Sequence, residues 1–98
     1  MFVGTLVLDL LLGDVRSLKQ KRAVVRPLVA ELKRLDVAVA ETGALDLHRR
    51  AEVSVAVVAA DAGHCRRVLE TAERAAAAHP EIDLLSVRLR VRSDGDDD

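Results

Sequence analysis

Residues 82–92 alternate more cleanly than any other stretch of the chain. Leu85, Val87, Leu89 and Val91 fall on one side, Ser86, Arg88, Arg90 and Arg92 on the other. A period of two belongs to a strand. One apolar side and one charged side mean a strand covered on a single face, the habit of antiparallel sheets. A fold built around it must bury one face of a sheet and leave the other to water or to a partner.

Three further segments read as strands. Residues 2–12 place Phe2, Leu6, Leu8, Leu10 and Leu12 on one side and Val3, Thr5, Val7, Asp9 and Leu11 on the other. Both sides are largely apolar, which predicts a central strand. Val37 to Thr42 alternates poorly and forms the second strand. A polar connection over residues 43–50 leads into the third, Ala51 to Ala60, with Val53, Val55 and Val57 opposite Glu52, Ser54 and Ala56.

Two segments have helical spacing. Ser17 followed by Gln20 is a capping box. Leu18, Val25, Leu28, Val29, Leu32 and Leu35 then share one arc. Pro27 inside this helix removes a backbone hydrogen bond at a cost of ~3 kcal/mol. The apolar spacing resumes beyond it, which predicts a kinked but continuous helix. Asp61 caps the second helix, whose inner face is Val68, Leu69, Ala72 and Ala76 and which Pro80 ends.

The order β-α-β-β-α-β predicts an α+β, ferredoxin-like domain, an antiparallel four-stranded sheet with two helices on one face. The length of 98 residues suits one domain. Residues 1–92 supply it. Residues 93–98 are expected to be a disordered acidic tail, having no apolar side chain to bury.

The formal net charge of -1 hides a polarity. Between Arg16 and Arg34 the chain carries Arg16, Lys19, Lys21, Arg22, Arg26, Lys33 and Arg34 against Glu31 alone. At about 100° per residue, Lys19, Arg22, Arg26 and Lys33 fall in a ~60° stripe beside the apolar arc. Several cations on one surface are what a phosphate backbone requires; the alternative is an ordinary solvated helix face. Arg88, Arg90 and Arg92 form a second cluster, suited to RNA or to deterring edge-to-edge aggregation. Aromatics are 1% of the chain, Phe2 alone, which excludes recognition by base stacking. Nucleic-acid contacts would therefore be to backbone and shape.

The face of the sheet away from the helices is expected to expose apolar residues. A homodimer through Val3, Val7, Val53 and Val55 would cover them; scattered surface apolars are the alternative. Catalytic chemistry is not indicated. Cys65 follows His64 directly, and adjacent helical residues point ~100° apart. His48, His64 and His79 lack metal-ligand spacing. Asp9, Glu41 and Glu52 are the carboxylates that a sheet face would bring together, with no evident pocket beside them. No cofactor, metal or enzymatic activity is expected. One cysteine excludes an intramolecular disulfide. Without a basic region before the first apolar run, no signal peptide is expected, and that run is too short to span a bilayer. A soluble cytoplasmic protein follows.

Ser17-Leu18-Lys19-Gln20-Lys21-Arg22, the run Ala51-Glu52-Val53-Ser54-Val55-Ala56-Val57-Val58, and His79-Pro80-Glu81-Ile82 resemble the uncharacterised bacterial YlxP-like family over roughly residues 1–92. The chain departs from that family at His48, where an aromatic is usual, and at Pro27. The resemblance implies a ferredoxin-like domain with no established activity. Genes of the family often neighbour those for a transcription-elongation factor, a translation initiation factor and ribosome-binding factor A, which implies a role near RNA or the ribosome. The expectation is a non-enzymatic RNA- or ribosome-associated domain using Lys19, Lys21, Arg22, Arg26, Lys33, Arg88 and Arg90. The alternative is a homodimeric assembly module using the open sheet face.

Overall fold

A computed structural model describes residues 1–95. The elements follow in the order β1 (Phe2–Leu12), α1 (Leu18–Lys33), β2 (Ala38–Gly43), β3 (Arg50–Ala59), α2 (Ala62–Ala77) and β4 (Ile82–Ser93). The strands form one antiparallel sheet in the order β2-β3-β1-β4. This is the ferredoxin-like α+β arrangement, and the doubly apolar β1 is a central strand.

Parity along β1 decides where the core lies. Leu6, Leu8, Leu10 and Leu12 are fully buried against the helices. Val25, Leu28 and Leu32 of α1 and Cys65, Leu69, Ala72 and Ala76 of α2 meet them. Small side chains on α2 let that helix settle close to the sheet. At Gly4 a Cβ would come 2.8 Å from Leu69 Cδ1 and 3.2 Å from Val57 Cγ1. Glycine is needed there for room rather than for its dihedral freedom.

Register also assigns β3. Leu8 pairs with Val53 and Leu6 with Val55, and paired residues share a face. Val53 and Val55 are therefore core residues, 0% and 1% exposed, and the expectation that they line an open-face dimer is overturned. Val3 and Val7 do lie on the open face. In β4 the alternation breaks once, where the register against β1 shifts between Asp9 and Leu10. The shift leaves Leu85 exposed and turns Leu84 toward the core instead.

The helix ends follow from the sequence. Ser17 Oγ accepts from the Gln20 N–H at 3.1 Å, and Gln20 Oε1 accepts from the Arg16 N–H at 2.6 Å. Asp61 Oδ1 accepts from the His64 N–H at 2.8 Å. α1 runs unbroken through Pro27. Ala23, whose carbonyl loses its helical donor to Pro27, is exposed, so water satisfies it and the proline is tolerated. His79 Nε2 lies 2.8 Å from Glu31 Oε1, tying the last turn of α1 to the residues that follow α2.

β4 extends through Ser93, and the Asp94 N–H still donates to the Met1 carbonyl at 2.9 Å. The ordered domain thus runs past the expected boundary at residue 92. The rest of the expected acidic tail, residues 96–98, lies outside the described residues.

Candidate nucleic-acid interface

α1 sorts its cations by angle. Lys19, Arg22, Arg26 and Lys33 are all exposed and occupy one ~60° arc. They extend over ~21 Å of helix at 1.5 Å per residue. Among the described residues, none of the four has a carboxylate within 4.0 Å. The first turn carries no acid, so the positive end of the helix dipole adds to the same field.

Lys21 does not join them. It is 3% exposed. Its Nζ lies 2.9 Å from Glu41 Oε2 and donates to the Ala44 carbonyl at 2.7 Å. The Leu47 N–H donates to the same carbonyl. Ala44 adopts φ 57, a conformation costly for a residue with a Cβ, and the lysine helps to hold that turn. Lys21 is a structural cation joining α1 to the end of β2, and its expected phosphate contact is withdrawn.

The arginines of β4 form a different surface. Arg88, Arg90 and Arg92 are exposed opposite Val7, Thr5 and Val3. They stand on the sheet face away from the helices, whereas the α1 stripe is on the helical side. The two clusters therefore do not make one site. Arg88 Nη2 is 3.7 Å from Glu52 Oε1. Arg90 and Arg92 share a depression at the β4 edge with Arg66 of α2.

A shallow hollow of about 250 Å³ adjoins the α1 stripe. Leu18, Val25 and Leu45 form its apolar wall, and Arg22 and Arg26 flank it. Leu45 is 58% exposed there, and Lys21 and Glu41 complete the lining. Leu45 was missed in the sequence because a lone leucine in a polar connection has no period to mark it. The arrangement offers a line of cations with an apolar margin.

A family model described as a protein of unknown function, DUF503, matches residues 3–89. The chain belongs to the DUF503 family. The match runs from β1 into β4 and so covers the whole α1 stripe together with Lys21 and Glu41. No curated protein matches the chain. DUF503 membership therefore brings a fold-length relationship and no activity, and the chemistry must come from the residues.

For this DUF503 member those residues offer little covalent chemistry. Cys65 is 0% exposed, and its thiol points toward the Phe2 carbonyl at 3.6 Å. His64 is exposed at the start of α2. The three carboxylates separate: Asp9 and Glu52 are register partners on the open face, while Glu41 turns to the helical side to meet Lys21. Among the described residues no group of three His, Cys, Asp or Glu side chains is placed to hold a metal ion. Among the described residues, no helix is long and apolar enough to cross a membrane.

Proposed function

We propose that this DUF503 member is a non-enzymatic, cytoplasmic RNA-binding domain of the YlxP-like branch, contacting phosphates through Lys19, Arg22, Arg26 and Lys33. The observation that carries the reading is the row of four exposed side chains on one helical arc, none neutralised by a carboxylate of the chain. Opposite charges at i, i+4 spacing would stabilise a solvated helix face and like charges there weaken it; this stripe carries cations alone. Each phosphate neutralised releases counterions, so a row of cations raises affinity without reading sequence. Phe2 packs against the core, leaving no aromatic platform for bases. Binding would therefore be strongly salt-dependent and nearly indifferent to base sequence. Ribosomal RNA is a natural target for such a surface.

Fluorescence anisotropy with unrelated single-stranded RNAs across a salt series tests this. With each single-strand contact contributing ~0.7 to the slope of log K against log salt, Arg22→Gln/Arg26→Gln lowers the slope by about 1.4. It also weakens binding to every sequence alike. An unchanged slope and affinity in that variant would overturn the proposal.

A further inference from the structure

The face of the sheet away from the helices is bare, and its residues are arranged in a particular order. Val3, Val7, Ala38, Ala40, Ala56 and Val58 make an uncharged expanse over β2, β3 and β1, with Val58 63% exposed. At ~3.4 Å per residue along β1 and ~4.8 Å between strands, the face measures ~35 Å by ~15 Å. Side-chain relief brings its accessible area toward the ~800 Å² per partner that a stable dimer buries.

Charge borders that expanse on two sides: Arg88, Arg90 and Arg92 line its β4 edge, and Asp9, Glu52 and Asp83 gather at one end beside Arg50. At one end Asp9 and Glu52 are direct cross-strand partners, and like charges so placed are unfavourable. The groups around them are the hydroxyls of Ser86 and Thr42, the distant guanidinium of Arg88 and, one row further out, Arg50 and Asp83. Toward the other end Arg90 and Arg92 have, among the described residues, no carboxylate within 4.0 Å. The first end, with Asp9, Glu52 and Asp83 against Arg50, is in net excess of acid. A polyanion would be repelled by the first end, so this face does not suit RNA. A surface that carries both halves of a complementary pair at opposite ends matches itself after reversal.

We propose that a second copy of the chain covers this face, the two sheets packing against each other about a two-fold axis that lies between them and runs roughly across the strands. That axis reverses strand direction in the partner. It keeps each strand over its own counterpart, so Arg90 and Arg92 of one copy come over the end of β4 and β1 that holds Ser86, Asp83 and Asp9 in the other, twice. The alanines and valines between them allow the ~10 Å approach of packed sheets. The α1 stripe of each copy stays on the outer, helical side, so the dimer stands whether or not RNA binds there.

Sedimentation equilibrium of the full chain at micromolar concentration tests it. The native chain is expected to be a dimer. Arg90→Glu/Arg92→Glu and Asp9→Lys/Asp83→Lys each weaken self-association at least tenfold, and mixing the two variants restores a dimer of one copy of each. Val58→Asp, at an exposed position outside the core, weakens it as well, with circular dichroism confirming that all variants fold. A native chain that stays monomeric, a dimer that none of these changes weakens, or folded charge-reversed variants that fail to pair when mixed would each overturn the proposal.

Discussion

The two sides of β1 are both largely apolar and opposite in fate. Gly4, Leu6, Leu8, Leu10 and Leu12 lie under two helices and are buried, whereas Val3, Thr5, Val7, Asp9 and Leu11 lie on a face with nothing over it. What differs is the neighbour across the strand. Leucine meets valine on the covered side, at Leu6 with Val55 and Leu8 with Val53. On the open side Val7 meets Ser54 and Arg88, and Asp9 meets Glu52 and Ser86. Burial in this domain is thus a property of cross-strand rows, and hydrophobicity along one strand does not reveal it.

The largest test of this contrast is Leu8→Ala against Val7→Ala, adjacent residues on opposite sides. Leu8→Ala leaves a cavity and is expected to cost about 3–4 kcal/mol. Val7→Ala is expected to cost the monomer less than ~0.5 kcal/mol, as surface substitutions do. Urea unfolding at dilute protein measures both; equal losses would erase the distinction between the faces. Next is the polar pair on the covered side. Lys21→Met strips Glu41 of its cation and is expected to cost about 2–3 kcal/mol, below the range for fully buried pairs because Glu41 keeps some contact with water. Lys21→Met/Glu41→Leu should regain most of that loss, and a double-mutant cycle reads the coupling. The smallest is Gly4→Ala, where the new methyl must push Leu69 aside at about 1–2 kcal/mol. Thr5→Val, one residue along on the open side, is expected to be close to neutral by the same measurement.

Much of the architecture was legible because each signal had a single physical reading. The period of two at residues 2–12, the Ser17 and Asp61 caps and the order of the six elements all point to the observed sheet. Val53 and Val55 were placed wrongly because a strand's parity does not say which side its helices take. The polar row Glu52, Ser54 was the available clue, and it points away from the core. Lys21 was likewise readable, since it falls three residues after Leu18 and four before Val25, inside the apolar arc. Its charge drew attention away from its angle. Leu84 and Leu85 were not readable, since the register shift beside Asp9 depends on pairing with β1 rather than on anything local to β4. The absence of ion pairs along the α1 stripe also needed coordinates, because distant acids could have folded onto it.

That shift in β4 works as a phase-setter for the whole edge. Ile82 and Leu84 on one side of it, and Val87, Leu89 and Val91 on the other, all end up facing inward, although their numbering is out of step. Excising Leu85 would bring the two segments into step, leaving a regular strand with the same inward row. Flattening the bulge with Leu85 kept would instead force one segment or the other to rotate by half a period. Either three guanidinium groups would turn beneath the helices, or Ile82 would leave the core and expose the end of the sheet. The bulge thereby absorbs one surplus leucine and keeps the charged border of the molecule on its outer surface.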